Sequence, residues 1–284
     1  MTRAPVPPPD RLRLTARDRD LLTFLAEHRF ALAAQAGAVV GTSARAAGRR
    51  LGALRAAGLV RAARPLRHEA SAWAVTRAGL AAGESSLGLP RPVDLGTYRH
   101  DVGVAWLAAG ARRGIFGELS AVVSERTMRS EDRRGDRAAG GPRHGVRVGH
   151  GSEARLHYPD LVVVASSGHR VAFELELSTK SPRRRERILA AYADDPRIDA
   201  VVYLVPTRAA GQAIARSAAR VGATDTVRVQ RFVWAGGRAP GEAAGAAARR
   251  RPGATRTGAT RPGAARTGAD RGSAPAADGA EASR

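Results

Sequence analysis

Asp160, Glu174, Glu176 and Lys180 are residue types that do chemistry together when they share one point, and their spacing in this chain permits that. Two or three carboxylates bind Mg²⁺ or Mn²⁺ through hard oxygen ligands, and such a cation polarises a phosphodiester and activates water. A nearby ammonium orients that water or stabilises the developing charge. Lys180 is the only lysine among 47 basic residues, in a chain whose excess of arginine, alanine and glycine marks a GC-rich coding sequence. A lysine standing against that drift is not easily read as filler.

Two adjacent strands must position these groups. Asp160 follows Tyr158-Pro159 and opens an apolar run, Leu161-Val162-Val163-Val164, within a strand expected over Leu156–Val164. Alternation along Val171–Lys180 places Phe173, Leu175 and Leu177 on one face and Glu174, Glu176, Ser178 and Lys180 on the other. Asp160 and Glu174 then meet across the strand pair. Lys180 lies four residues beyond Glu176, roughly 13 Å along an extended chain. The alternative reading is a solvated glutamate face, or ion pairs with the arginines of the following Pro182-Arg183-Arg184-Arg185 helix. His157, His100-Asp101 and Glu125 are further metal or base candidates. No phosphate-cradling Walker loop, GxGxxG turn, GxSxG elbow or zinc spacing is present.

A second set of residues speaks to a polyanion. The formal net charge is +21 and the pI about 11.7. Residues 1–235 hold 38 basic against 22 acidic residues, and residues 1–83 hold 14 against 5. The excess therefore belongs to the part of the chain with folding patterns, above all its N-terminal third. A basic surface gains free energy on nucleic acid by releasing condensed counterions. The absence of cysteine excludes disulfides, thiolate metal sites and a cysteine nucleophile. No apolar run approaches the about 20 residues a bilayer span needs, and the N-terminus lacks a signal-peptide pattern, so a cytoplasmic protein with no membrane partner is expected.

The N-terminal pattern is helical. Thr15-x-x-Asp18 forms a capping-box-like start before Leu21, Leu22, Leu25 and His28, a second helix follows over Leu32–Val39, and a third runs from Thr42 or Ser43 to about Ala57, where Gly58 stops it. At about 100° per residue, Ala47, Leu51 and Leu54 of this third helix share one face, with Arg45 and Arg49 opposite and Arg50 and Arg55 on the flanks. Leu59–Arg61 and Ser71–Val75 read as a hairpin whose turn carries Arg64 and Arg67. Three helices and a hairpin in this order predict a winged helix-turn-helix, with the third helix in the major groove of duplex DNA and the hairpin turn as the wing.

Beyond a linker at 84–97, a helix is expected over Tyr98–Arg113 with Val102, Trp106 and Ala109 on one stripe. Three strands, a helix, a strand, a helix over Ala209–Val221 and a last strand at Val227–Val233 complete an α/β core. Residues 129–152 lack periodicity and read as a mobile loop. Residues 1–13 read as a disordered leader and residues 236–284, built of Arg-Pro-Gly-Ala and Arg-Thr-Gly-Ala fragments, as a disordered basic tail.

Asp160 followed by Glu174-x-Glu176 and Lys180 resembles the PD-(D/E)xK nuclease pattern, which would place its lysine where this chain has Glu176. More widely, residues 14–234 resemble the replication-relaxation family. The blocks that carry the likeness are Leu14-Thr15-x-Arg17-Asp18, Arg49-Arg50-Leu51-x-x-Leu54, Gly58-Leu59-Val60, Val75-Thr76-x-x-Gly79, Ser124-Glu125-Arg126 and Tyr158-Pro159-Asp160. The resemblance implies a winged helix-turn-helix at 14–83 joined to a restriction-endonuclease-like mixed sheet flanked by helices at 98–235. It further implies a DNA-binding accessory protein of plasmid or mobile-element replication, mobilisation or conjugation, working beside replication or relaxase proteins. Two alternatives stand beside it: an Mg-dependent endonuclease with Asp160, Glu174, Glu176 and Lys180 as its site, and a winged-helix transcriptional regulator.

Overall fold

The computed structural model describes residues 12–135, 141–178 and 180–233. Most of the expected leader and the whole of the expected tail lie outside them.

α1 (Ala16–Glu27) opens with a full capping box, in which the Thr15 hydroxyl accepts from the Asp18 N–H and the Asp18 carboxylate accepts from the Thr15 N–H. Leu21, Leu22, Phe24 and Leu25 are buried along it. A two-residue strand β1 (Ala31–Leu32), absent from the sequence reading, precedes α2 (Ala33–Val39). α3 (Ala44–Ala56) is capped by Ser43 and buries Ala47, Leu51 and Leu54, the face its periodicity indicated. It ends in a Schellman turn: Gly58 sits at φ +75°, and the Gly58 and Leu59 N–H groups donate to the carbonyls of Arg55 and Leu54, both at 2.9 Å. β2 (Val60–Ala63) and β3 (Ala72–Val75) form the expected hairpin, and β1 joins it on the far side of β3 to give the order β1-β3-β2. α4 (Arg77–Ala82), capped by Thr76, closes this module.

α5 (Tyr98–Arg112) is buried almost all round, from Val102 to Ala109, rather than along a single stripe. Both of its sides are covered: the N-terminal module packs on one, and one face of the main sheet on the other. The buried Gln35 side chain ties α2 to it, accepting from the Leu32 N–H and donating to the Val102 carbonyl, each at 2.7 Å. One continuous apolar cluster thus runs from α1 and α3 through α5 to Leu161, Phe173 and Leu175 of the sheet.

β4 (Leu119–Ser124) leads directly into α6 (Glu125–Arg134), then β5 (Val146–Val148), a short 3-10 turn at Gly151–Glu153, β6 (Arg155–His157), β7 (Leu161–Ala165), β8 (Arg170–Leu175), α7 (Pro182–Ala193), β9 (Ala200–Val205), α8 (Arg208–Arg220) and β10 (Val227–Arg231). The five-stranded sheet has the order β10-β9-β8-β7-β4, in which β7 is antiparallel to both β4 and β8, while β8, β9 and β10 are mutually parallel. α7 and α8 cover its second face through Ile188, Leu189, Tyr192, Ile214 and Ala218. The described residues thus make a mixed α/β structure with eight α-helices around a five-stranded mixed sheet.

Three local expectations are corrected. Residues 129–152 are no continuous loop: α6 occupies their start and β5 their end, with residues 136–140 outside the described set. The single strand expected over Leu156–Val164 divides at Tyr158-Pro159-Asp160, and β6 pairs with β5 in a separate two-stranded sheet. Pro159 has no N–H to offer a ladder, which favours a break there. The strand expected to Lys180 stops at Leu175.

Candidate functional site

The break at Pro159 sets Asp160 at the mouth of β7, beside the end of β8. Its N–H donates to the Phe173 carbonyl at 3.1 Å, and its Oδ2 accepts from the Leu175 N–H at 2.7 Å. His100, in the first turn of α5, brings Nε2 to 3.2 Å from the same carboxylate and Nδ1 to 3.9 Å from Asp101. Burial works against a charge on His100, but its hydrogen bonds and charge interactions with Asp101 and Asp160 outweigh it and raise its pKa to about 10. A ring with a carboxylate near each nitrogen is doubly protonated at neutral pH.

Glu174, next to last in β8, lies opposite Tyr203 of β9 and is buried. Its Oε1 accepts from the Tyr192 hydroxyl at 2.5 Å and lies 2.7 Å from His157 Nε2. Glu176, past the strand end, anchors its N–H on the Leu204 carbonyl at 2.9 Å and is also buried. Because the chain leaves the extended conformation after Leu175, Lys180 folds back instead of running on. Its ammonium donates to Glu176 at 2.5 Å and lies 3.9 Å from Glu174. The expected gap of about 13 Å is thereby closed.

Desolvation opposes charge on Glu174, yet His157, Lys180 and Tyr192 outweigh it and hold its pKa below the ordinary carboxylate value. Burial also works against Lys180, and the charges of Glu174, Glu176 and Asp160 raise its pKa nonetheless. Tyr192 is pushed well above its usual value by burial and by the charge of Glu174, so its hydroxyl remains a donor. Glu174, Glu176 and Lys180 therefore come together with His157 and Tyr192, while Asp160 sits beside the end of β8 in contact with His100.

The arrangement does not suit Mg²⁺ or Mn²⁺ as it stands. Among the described residues no three histidine or carboxylate groups converge as a set that could hold a metal ion. One oxygen of each carboxylate is already engaged: Glu174 Oε1 by Tyr192 and His157, Glu176 Oε2 by Lys180, and Asp160 Oδ2 by the Leu175 N–H and His100. Glu174 and Glu176 pair with Lys180, and Asp160 pairs with His100. The arginines of α7 do not supply their countercharge, since Arg185 is buried against Ser217 of α8 at 3.0 Å. Tyr192 was not legible as a partner, because its place on the apolar face of α7 reads as core.

On the N-terminal module, Arg45, Arg49 and Arg55 project from the exposed side of α3, and Arg64 and Arg67 stand exposed on the β2–β3 turn. Arg50 differs. Its Nε and Nη2 donate to Asp18 at 2.6 and 2.5 Å, tying α3 to the start of α1. Burial would raise the Asp18 pKa, but hydrogen bonds from Arg50 and Thr15 lower it to about 2.

Comparison with family models, curated proteins and solved structures finds no match to this chain. Among the described residues no helix is long and apolar enough to cross a membrane.

Proposed function

We propose that this chain binds duplex DNA through a winged helix-turn-helix at its N-terminus, and that its α/β unit is a nuclease-like core serving as a scaffold. The observation that carries this reading is α3, which buries Ala47, Leu51 and Leu54 while exposing Arg45, Arg49 and Arg55. The order α1-β1-α2-α3-β2-β3, with Arg64 and Arg67 on the hairpin turn, supports it, being the order of winged-helix modules. In the α/β unit, the antiparallel run β4-β7-β8 followed by α7 and a parallel β9 supports the nuclease-like reading. With the sequence resemblance to the replication-relaxation family, this makes the chain an accessory protein of plasmid or mobile-element replication or mobilisation. The test is an electrophoretic shift series on plasmid fragments at several salt concentrations. Arg45→Ala with Arg49→Ala should weaken binding and lower the salt slope by about 0.9 for each phosphate no longer neutralised. Unchanged affinity would reject α3 as the reading element.

Metal-dependent cleavage is a second reading, favoured by Lys180 lying against Glu174 at the end of β8 while Asp160, at the start of β7, accepts from the Leu175 N–H of the same strand end. Against it stands the engagement of one oxygen of each carboxylate by protein donors, and the absence, among the described residues, of three such groups converging on one point. Incubating supercoiled plasmid with the chain and Mg²⁺ or Mn²⁺ separates the two. Nicking that Glu174→Gln and Lys180→Ala each abolish would establish the enzyme, and an intact plasmid together with no heat of metal binding would leave the scaffold.

A further inference from the structure

A cleft of about 450 Å³ opens between α6, the segment after α4 and the turn following α1. Five arginines line it, Arg29, Arg91, Arg126, Arg129 and Arg133, against one carboxylate, Glu125. Three of them come from α6 at positions i, i+3 and i+7, which a helix stacks on one side. Arg129 is held by Glu125 at 2.7 Å and Arg29 faces Asp101 at 3.3 Å. Arg126 donates only to the carbonyls of Ala26 and Gly88. Among the described residues no carboxylate lies within ion-pair distance of Arg91, Arg126 or Arg133. Burial chiefly, and then the charge of Arg29, lowers the pKa of the Arg126 guanidinium.

Such a cleft attracts anions, and guanidinium forks match phosphate oxygens in a way that a scattered surface charge does not. Its wall has no aromatic side chain on which a base would stack. The lining therefore suits phosphates and offers nothing for base recognition. A small pocket sharing Arg29, Glu125 and Arg126 continues inward to His100 and Asp160.

We propose that this arginine cleft is a second nucleic-acid contact, separate from α3, which grips the sugar-phosphate backbone of bound DNA without reading its sequence. The proposal rests on the DNA-binding reading for the source of the phosphates, though not on α3 as the element that delivers them. Arg91 and Arg133 are exposed, so both can be changed without disturbing the core.

The test measures fluorescence anisotropy of a labelled duplex of arbitrary sequence with the full chain across a salt series. Arg91→Gln with Arg133→Gln should lower the salt slope by about 1.8, equivalent to about 60-fold weaker binding at about 0.1 M salt when two phosphates are no longer neutralised. Arg45→Ala with Arg49→Ala is measured in parallel. If that α3 variant binds normally while the cleft variant loses affinity, the α3 reading fails and the cleft stands. If duplex binding is unchanged in the cleft variant but a calorimetric titration shows that it has lost wild-type tripolyphosphate binding, the phosphate site stands and its source is a small phosphorylated ligand. If the cleft variant binds both duplex and tripolyphosphate like the wild type, or if neither probe binds the wild type, the proposal is overturned.

Discussion

Lys180 lies between two buried glutamates, donating to Glu176 at 2.5 Å and facing Glu174 at 3.9 Å. Removing the cation leaves ionised carboxylates in a place they tolerate only when paired. Lys180→Met should cost about 2–4 kcal/mol of stability in urea denaturation, less than for a fully buried pair because the ammonium is partly exposed. Adding Glu176→Gln should restore part of the loss, and a single-variant loss below about 0.5 kcal/mol would show that the network is not stabilising. Two histidines give the chain opposite pH responses. The His100 pKa rises from 6.5 to about 10 on folding, so its contribution is complete below 6.5 and is lost as pH climbs through about 10. His28 is buried against Phe24, its Nε2 has no partner among the described residues, and burial lowers its pKa from 6.5 to about 3. Because the unfolded chain takes up that proton first, stability falls as pH drops from 6.5 toward 3. Thermal midpoints across pH 4–10 should therefore show His28→Phe flattening the acid limb and His100→Asn the alkaline limb, within this range of about six pH units. Limbs that both variants leave unchanged would assign the pH dependence to other groups.

At the level of elements, the blocks that look weakest in sequence do specific mechanical work. Thr76-x-x-Gly79 caps α4 and presses it onto the end of β2: the Thr76 hydroxyl donates to the Gly58 and Leu59 carbonyls at 2.7 and 3.0 Å. A Cβ on Gly79 would collide with the Leu59 carbonyl oxygen, a backbone atom with little room to yield. Gly79→Ala should thus destabilise by about 1–3 kcal/mol through overpacking, whereas Gly52→Ala, in open space on α3, should be neutral or slightly stabilising. Equal stabilities for the two variants in chemical denaturation would contradict this packing. α6 escaped the sequence reading because ten residues, Glu125–Arg134, bury only Met128 and so carry almost no apolar period. What makes it a helix is the Ser124 cap, the Glu125–Arg129 pair and its attachment to α1 through Arg126.

For the whole molecule, the apolar cluster passes without interruption from the N-terminal module through α5 to the sheet. Elements that share one core lose their packing together. The full chain is expected to unfold in one calorimetric transition with equal calorimetric and van't Hoff enthalpies, and two resolved transitions would show that α5 couples the module and the sheet weakly. The same coupling bears on the site, since α5 carries His100 to Asp160 on one side while Gln35 holds its other side to α2. A change in how the module seats on α5 would be felt at the carboxylates without any contact between α3 and β8.

Local patterns in the sequence determined the elements that depend on neighbours in the chain. The Thr15–Asp18 box, the buried face of α3 and the Gly58 stop are all set by short-range sterics, capping and periodicity. Tertiary structure decided what those elements meet. It covered both sides of α5, where an isolated amphipathic helix would expose one, and it ended β8 at Leu175, so that Lys180 turned back onto Glu174 and Glu176. It also delivered Tyr192 and His157 to one oxygen of Glu174, an oxygen that the sequence reading assigned to a cation. The physical reason is that a buried carboxylate takes whichever donors packing brings within reach, and that choice is made by contacts distant in sequence, which no local period records.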